Sequence, residues 1–334
     1  MIADILNTLF ARQELPEAAL RGILQEMMAG RCGDAEAAAF LVALRMKGET
    51  AGEIAAAAQV LREHMVRWDP GRADVLDTCG TGGDGLGTFN ISTATALVLA
   101  GCGVPVVKHG NRSVSSKSGS ADVLAALGVK IDGDVAHAQR CLRDAGFAFC
   151  FAPLFHPALK HVAAVRKRLG VPTIFNCLGP LANPAGAQRQ LLGVGRLDLL
   201  DRMAGALAKL GTAHALLVCS EDGLDEVSLS APTQVREVMG GQVRTLRWTP
   251  ADFGLAPCTL AELSAADGAA SAQIVQRVLA GAASAAARVT IANAAAGLHA
   301  AERVTTLPEG VALATESIRA GRAQAVLENL RRVQ

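Results

Sequence analysis

VLDTCGTGGDG, residues 75–85, decides how this chain is read. A short apolar strand, Val75-Leu76, runs directly into a turn carrying Gly80, Gly82, Gly83 and Gly85. Adjacent glycines let backbone N–H groups approach an anion closely, and a helix starting downstream would add the positive end of its dipole. Asn90-Ile91-Ser92-Thr93 puts three short polar side chains at the start of such a helix. They can cap it, contact phosphate oxygens or help hold a metal through water. The turn formally contains G-x-G-x-x-G, but a dinucleotide fold needs an acid about 20 residues later, at the end of the second strand. No Asp or Glu occurs from Gly85 to Ala121, and the second strand ends in Lys108-His109. That excludes NAD, and the missing glycine–lysine–serine/threonine run excludes a Walker loop.

Around this turn the chain has two styles. Residues 1–68 read as helices only. Asp34 is placed to cap a helix with Phe40, Leu41 and Leu44 on one side, and Thr50 with Glu53 spells a capping box before an alanine-rich helix ending near Met65. Asp69-Pro70-Gly71 breaks the pattern and is the expected hinge. Beyond it, short apolar runs (75–76, 104–107, 147–151, 191–194, 215–219) alternate with helical stretches (93–100, 121–127, 135–145, 197–210). Such alternation is the pattern of a largely parallel sheet with helices on its faces. Residues 157–184 read as helix and turn and are expected to pack with the N-terminal helices. The expected fold class is α/β. It has a small helical domain, 1–69 with about 157–188, and a larger α/β domain, 70–156 with 189–334, around a mostly parallel sheet.

Composition narrows the function classes. The 334 residues suit about two domains, and 51% hydrophobic against 19% charged residues supports a large core. A net charge of +1 and 3% aromatics with no tyrosine argue against nucleic acid as the partner. The eight cysteines lie far apart with no C-x-x-C pair, so buried thiols in a reducing cytoplasm are expected rather than a zinc ribbon. Residues 85–107 carry no charge, yet Asn90, Ser92, Thr93, Thr95, Gly101, Gly103 and Pro105 interrupt them as a lipid-facing helix would rarely allow. With no signal peptide either, the expectation is a soluble cytoplasmic protein.

Two further loops carry chemistry. Lys108-His109-Gly110-Asn111-Arg112, followed by Ser113-Val114-Ser115-Ser116-Lys117-Ser118-Gly119-Ser120, gathers cations and hydroxyls with no acid among them. Both this loop and the glycine turn fall at carboxyl ends of parallel strands, where ligands bind, so a polyphosphate or phosphosugar is expected. Ser120 and Asp122 can also cap the helix through Leu127. Glu221-Asp222-Gly223-Leu224-Asp225-Glu226 supplies four carboxylates in six residues, an oxygen-rich set that suits Mg²⁺ shared with substrate phosphates. His156 and His161 lack the spacing of a helical zinc pair, and His64, His137, His214 and His299 have no partner pattern. Arg166, among Lys167 and Arg168, reads on physics alone as a solvated helical arginine.

Taken in order, GTGGDG (80–85), NIST (90–93), KHGNR (108–112), SSKSGSADVLAALG (115–128), FAPLFHPALK (151–160), VRKRLG (165–170), NCLGPLANP (176–184) and GLDEVSL (223–229) resemble the anthranilate phosphoribosyltransferase family. The resemblance runs along essentially the whole chain, and the ordered set is far more specific than any one motif. It implies a fold of the nucleoside phosphorylase/phosphoribosyltransferase type. The implied activity is transfer of phosphoribose from phosphoribosyl pyrophosphate to the anthranilate amine, releasing pyrophosphate, in tryptophan biosynthesis. It also implies a homodimer through the helical domains, with no nucleic acid or membrane partner.

Carried over motif by motif, Gly80, Gly83, Asp84 and Thr88, then Asn90, Ile91, Ser92 and Thr93, would face phosphoribosyl pyrophosphate. So would Lys108, His109, Gly110, Asn111, Arg112, Ser113, Val114, Ser115, Ser116 and Ser120. Ser92, Asp225 and Glu226 would hold Mg²⁺, two ions per monomer. Gly80, Asn111 and Arg166 would contact anthranilate, which gives Arg166 a role that physics alone did not. Ala163-Ala164 stands where the family often has alanine then proline, a small departure beside Arg166. No general base is required, and His109 is the candidate should one act. Two alternatives are a pyrimidine nucleoside phosphorylase, which HGNR and GLDE fit less well, and a non-enzymatic nucleic-acid-binding relative, which the charge balance disfavours.

Overall fold

The computed structural model describes residues 2–113 and 118–333. Four helices come first: α1 (Ile2–Phe10), α2 (Glu17–Met28), α3 (Asp34–Lys47) and α4 (Ala51–Glu63). The cap of α3 differs from the sequence expectation. Gly33 is the N-cap and Asp34 the first helical residue, with Glu36 reaching back to the Gly33 N–H at 3.2 Å. The Thr50–Glu53 capping box is present, at 3.1 and 2.9 Å, and its helix ends two residues earlier than expected. Glu53 is buried and also accepts from the Leu15 amide (3.1 Å) and the Lys47 ammonium (2.7 Å), tying the start of α2 to α4. Asp69-Pro70-Gly71 forms a turn in which Asp69 accepts from the Gly71 amide at 2.8 Å. Just before it, Val66 and Trp68 donate backbone bonds to Phe155 and Pro184, so this connection is fastened to the later helical segment.

Then comes β1 (Leu76–Gly80), α5 (Ile91–Gly101), β2 (Val106–Gly110), α6 (Ser120–Ala126), α7 (Val135–Ala145) and β3 (Phe147–Phe151). Next are α8 (Ala152–Phe155), α9 (Lys160–Leu169), α10 (Phe175–Leu178), β4 (Arg189–Gly193), α11 (Leu197–Lys209) and β5 (His214–Ser220). An antiparallel hairpin follows, β6 (Thr233–Met239) and β7 (Gln242–Trp248), and four helices end the chain: α12 (Gly268–Leu279), α13 (Ala285–Ala300), α14 (Leu307–Arg319) and α15 (Arg322–Arg332). The sheet order is β3-β2-β1-β4-β5-β6-β7, the first five parallel. The hairpin is an addition to the strands expected from the sequence.

Alternation along β4 and β5 shows how the layers are held. Leu191, Leu216 and Val218 face a core shared with α5 and α13, while Leu192, Leu217 and Cys219 face α11 and the N-terminal helices. Side chains of α9 and α10 (Val162, Val165, Phe175, Leu178) join the second core, and α9 packs on α2 and α3. The uncharged stretch 85–107 is explained by α5. A helix apolar all round must be buried on every side, and α5 lies among the sheet, α13, α14 and α15. Among the described residues no helix is long and apolar enough to cross a membrane. Six of the eight free cysteines are buried.

The Glu53 junction ranks two substitutions. Thr50→Ala removes one cap bond and should cost about 1 kcal/mol. Glu53→Ala should cost about 3 kcal/mol or more, because it strands the Lys47 ammonium, 4% exposed, without its counter-charge. Urea midpoints of the two variants should fall in that order.

Candidate active site

Strand order fixes where a ligand can lie. From β1 the chain winds outward through β2 to β3, then returns to place β4 on the other side of β1. The crevice beyond the carboxyl ends of β1 and β4 is therefore the switch point of the sheet, where ligands bind in such folds. Gly80 and Gly193 pair across that point. A Cβ on Gly193 would lie 1.7 Å from the Asp225 carbonyl oxygen, so glycine is what lets the 221–226 turn close over β4.

The glycine turn is pinned at its edges and open in its middle. The Thr81 amide donates to the Gly193 carbonyl (2.9 Å) and the Thr81 hydroxyl accepts from the Gly195 amide (3.0 Å). At the far edge Thr88 bridges Ser264, and the Phe89 amide donates to Leu263 (2.8 Å). Between them Gly82 and Gly83 are exposed with φ of 64° and 87°, a left-handed run that side-chain-bearing residues resist. Asp84 accepts from the Leu86 amide at 3.3 Å.

The structure divides the NIST residues by task. Asn90 caps α5, accepting from the Thr93 amide (3.1 Å) and the Thr93 hydroxyl, so both side chains are committed to the cap. Ile91 is buried in the core and can offer a ligand only its amide. Ser92 alone turns its hydroxyl to the crevice, accepting from the Lys108 ammonium at 3.1 Å.

Lys108, 2% exposed, also donates to the Thr78 carbonyl. Burial lowers its pKa, opposed by Asp77, Glu226 and Asp225. Beneath it lies a group that the motifs did not point to. Asp77, fully buried, accepts from the His109 amide (3.2 Å) and from Asn183 (2.8 Å), which also donates to the Val107 carbonyl (2.8 Å). Burial raises Asp77 to about 6 despite the ammonium and these donors. An acid inside an apolar strand was the available signal.

Across the crevice the acidic turn splits in two. Glu221 pairs with Arg247 (2.9 Å), and Asp222 accepts from Ser228 (2.7 Å) and Ser230. Asp225 and Glu226 face the other way, towards Lys108 and Asp84. Burial pushes Asp225 up to about 7, with the charge of Asp84 adding to it, while the Gly82 amide opposes. Glu226 is raised well above the usual carboxylate range by burial and by Asp225, with Lys108 and the Ser92 amide opposing. Two carboxylates that resist ionising side by side, next to a serine hydroxyl, form a hard-oxygen donor set that fits Mg²⁺ with room for substrate oxygens.

The described ends of the loop after β2 are tied together. Asp122 accepts from the Ser113 and Gly119 amides (both 3.0 Å), and the Ala121 amide donates to the Asn111 carbonyl. Gly119, rather than Ser120, is the N-cap of α6, and the Ser120 hydroxyl lies against Gly110. Arg112 is spoken for by Asp122 at 3.1 Å, contrary to the reading of an acid-free basic loop. Val114, Ser115, Ser116 and Lys117 lie outside the described residues.

His109 is a poor fit to a base. Its Nδ1 meets the Gly179 carbonyl at 3.0 Å, its ring lies 4.8 Å from that of His156, and burial pushes its pKa down to about 3. A group so reluctant to hold a proton is a weak acceptor at neutral pH. The Gly179 contact joins β2 to the α9–α10 segment. There Arg166 sits 5.3 Å from the Phe175 ring, its pKa lowered by burial, with no carboxylate partner among the described residues. A half-buried guanidinium without a counter-ion is a ready bidentate site for a carboxylate.

Two family models match the chain: a glycosyl transferase family helical bundle domain over residues 3–65 and a glycosyl transferase family a/b domain over residues 72–324. The anthranilate phosphoribosyltransferase of Methanosphaerula palustris is 48% identical, covering 99% of this chain and 98% of that protein. Among solved structures, anthranilate phosphoribosyltransferase from Thermus thermophilus is similar with a TM-score of 0.93 and 41% identity over 99% of each chain. The Saccharomyces cerevisiae enzyme in complex with PRPP and Mg has a TM-score of 0.91 and 29% identity, covering 99% of this chain and 97% of that one.

The buried Asp77 makes a prediction with a definite sign. With its folded pKa raised to about 6, the stability it contributes is complete below the ordinary aspartate value, near 4, and is lost as pH rises through 6. Carboxyl ¹³C NMR should place its midpoint near 6. Lys108→Met should move that midpoint further up, since the ammonium is the strongest influence holding it down; a downward move would contradict the arrangement.

Proposed function

The chain belongs to the anthranilate phosphoribosyltransferase family, and on that premise we propose that it transfers the 5-phosphoribosyl group from phosphoribosyl pyrophosphate to the amine of anthranilate, in tryptophan biosynthesis. The observation that carries the reading is the meeting, at one switch point, of an exposed glycine turn, a buried ammonium and two half-buried carboxylates. These are complementary to a metal-bound pyrophosphate.

Phosphoribosyl transfer breaks the bond from ribose C1 to a pyrophosphate oxygen and forms one from C1 to the amine nitrogen, which sheds a proton to water. Positive charge builds on the sugar and negative charge on the leaving group. The glycine-turn amides and Lys108 are fixed before the reaction, so they stabilise departing charge without reorganising. Mg²⁺, when bound by Asp225, Glu226 and the Ser92 hydroxyl, adds charge neutralisation at the pyrophosphate. We assign two such ions per monomer, in keeping with two carboxylates that cannot comfortably ionise side by side. The aromatic amine is a modest nucleophile, and holding it in line matters more than activating it. Arg166 suits that work by gripping the carboxylate of anthranilate, and Asn111 and Gly80 are assigned to the same substrate. His109, donating its Nδ1 proton to the Gly179 carbonyl, orients the Gly179 segment and takes no proton from the amine.

The domain division proposed is 1–69 with about 157–188 against 70–156 with 189–334. Its support is the apolar core that α9 and α10 share with α1–α4. For the proposed homodimer through the helical domain, the support is Phe10 on α1 and Met46 on α3, 70% and 68% exposed. Sedimentation at twice the chain mass, lost in Phe10→Glu, would bear it out. A cytoplasmic location is part of the same proposal, and its support is the biosynthetic role of the family.

Loss of anthranilate fluorescence on adding phosphoribosyl pyrophosphate and Mg²⁺ tests the activity directly; no loss would sink it. Arg166→Ala should raise the anthranilate KM about 10- to 100-fold, the worth of a charged hydrogen bond, with the phosphoribosyl pyrophosphate KM little changed. Asp225→Asn with Glu226→Gln should shift the Mg²⁺ titration of activity to higher concentration; an unmoved titration would remove both from the metal site.

A further inference from the structure

At the opposite end of the sheet, three side chains from three separate elements converge. His214 opens β5, Glu237 lies in β6 and His299 in the last turn of α13. Six further residues of β5 separate His214 from the carboxyl-end crevice, roughly 20 Å at about 3.3 Å per residue. Among the described residues this is the one group of three His, Cys, Asp or Glu side chains whose donor atoms all lie within 4.8 Å of one another. We propose that His214, Glu237 and His299 bind a divalent transition cation of the Zn²⁺ class, at a site separate from the phosphoribosyl centre.

The spacing of the donors already suits such an ion. His214 Nε2 lies 3.1 Å and His299 Nε2 3.4 Å from the same oxygen, Glu237 Oε1. Bonds of about 2.0–2.1 Å to a tetrahedral Zn²⁺ put neighbouring donors about 3.3 Å apart. The two His–Glu separations thus stand at the edge length of such a polyhedron. Two imidazoles and one carboxylate are the donor set that suits zinc rather than magnesium.

Proton placement points the same way. With no cation, both Nε2 atoms must be donors to crowd one oxygen, which leaves both Nδ1 atoms as bare acceptors. Neither Nδ1 has a hydrogen-bond partner, and His214 is 1% exposed. His214 Nδ1 instead faces Glu302 Oε1 at 3.7 Å, lone pair against carboxylate. A cation on Nε2 reverses this, making Nδ1 an N–H aimed at Glu302. That is the carboxylate–histidine–metal relay which orients metal-bound imidazoles. Glu302 is held for it by Arg189 (2.5 Å) and by a left-handed backbone, φ 56°. Arg189 and Arg244 take the outer oxygens of Glu302 and Glu237, leaving each inner oxygen facing the histidines, and the two carboxylates offset the charge of the cation. His299, a quarter exposed, leaves a way in for the cation and for a water in the fourth position.

Chelator-treated enzyme, dialysed against Zn²⁺ in the presence of saturating Mg²⁺, should bind one Zn²⁺ per chain and gain thermal stability. Co²⁺ in its place should give visible bands without a thiolate charge-transfer band, which separates this site from the eight cysteines. His299→Ala, at a helix end, should abolish both effects, and Glu302→Gln should weaken binding about 10- to 100-fold. Asp225→Asn with Glu226→Gln should leave them intact. No bound Zn²⁺ at micromolar concentration, a thiolate band, or binding undisturbed by His299→Ala would each overturn the proposal.

Discussion

The Lys108 ammonium is held out of water at the carboxyl end of β2, and its neighbours are arranged to make that tolerable. It donates to the Thr78 carbonyl and the Ser92 hydroxyl and has Asp77 beneath it. A buried charge is kept only when paired and hydrogen-bonded. Asp77 in turn needs donors of its own, which come from the His109 amide and Asn183. Asn183 arrives from the segment after α10, so a single buried pair ties β1, β2 and the helical excursion before β4 together. That excursion also carries Arg166, and through His109 and Gly179 its position is set from the same pair.

What this assembly presents to the crevice is electrostatically unbalanced. Asp225 and Glu226 are pressed against Asp84, and burial drives their pKa values up. Lys108 relieves them only in part. A divalent cation held there would relieve more, and would draw a pyrophosphate towards the glycine turn. The imbalance is local: Glu221 and Asp222, in the same turn, are satisfied by Arg247 and by serines.

Much of this was legible in the sequence because it depends on local chemistry. The five parallel strands announced themselves as apolar runs between helices, and the glycine turn, the β2 loop and the acidic turn each stood at a strand end. What escaped were facts of tertiary placement. Arg112 is ten residues from Asp122, and only the shared hold of Asp122 on the Ser113 and Gly119 amides makes them partners. Of four clustered carboxylates, nothing in the spacing says which two turn inward. His109 looks like a base until burial beside His156 makes protonation costly. The β6–β7 hairpin is hidden for another reason. Its turn, Gly240-Gly241, carries the glycine pair expected of a tight hairpin, both with positive φ. But β7 exposes most of its side chains, so no apolar run marks it.

The glycine surplus and the near-zero net charge belong to one arrangement. Nine of 34 glycines fall between residues 80 and 119, and no acid occurs from Gly85 to Ala121. Helices commonly carry acids in their first turn, where they offset the dipole; α5 has none. Its negative partner comes from far along the chain, as Glu226 facing the Ser92 amide. An acid built into α5 would sit permanently against the site and repel phosphate. Supplied from the turn after β5 instead, the carboxylate can be neutralised by a metal, leaving the amides of α5 and the glycine turn for an anionic ligand. The cost to α5 is small, because burial among the sheet and the C-terminal helices holds it in place. The +1 of the whole chain thus conceals two opposed surfaces, separated in sequence and brought face to face at the switch point of the sheet.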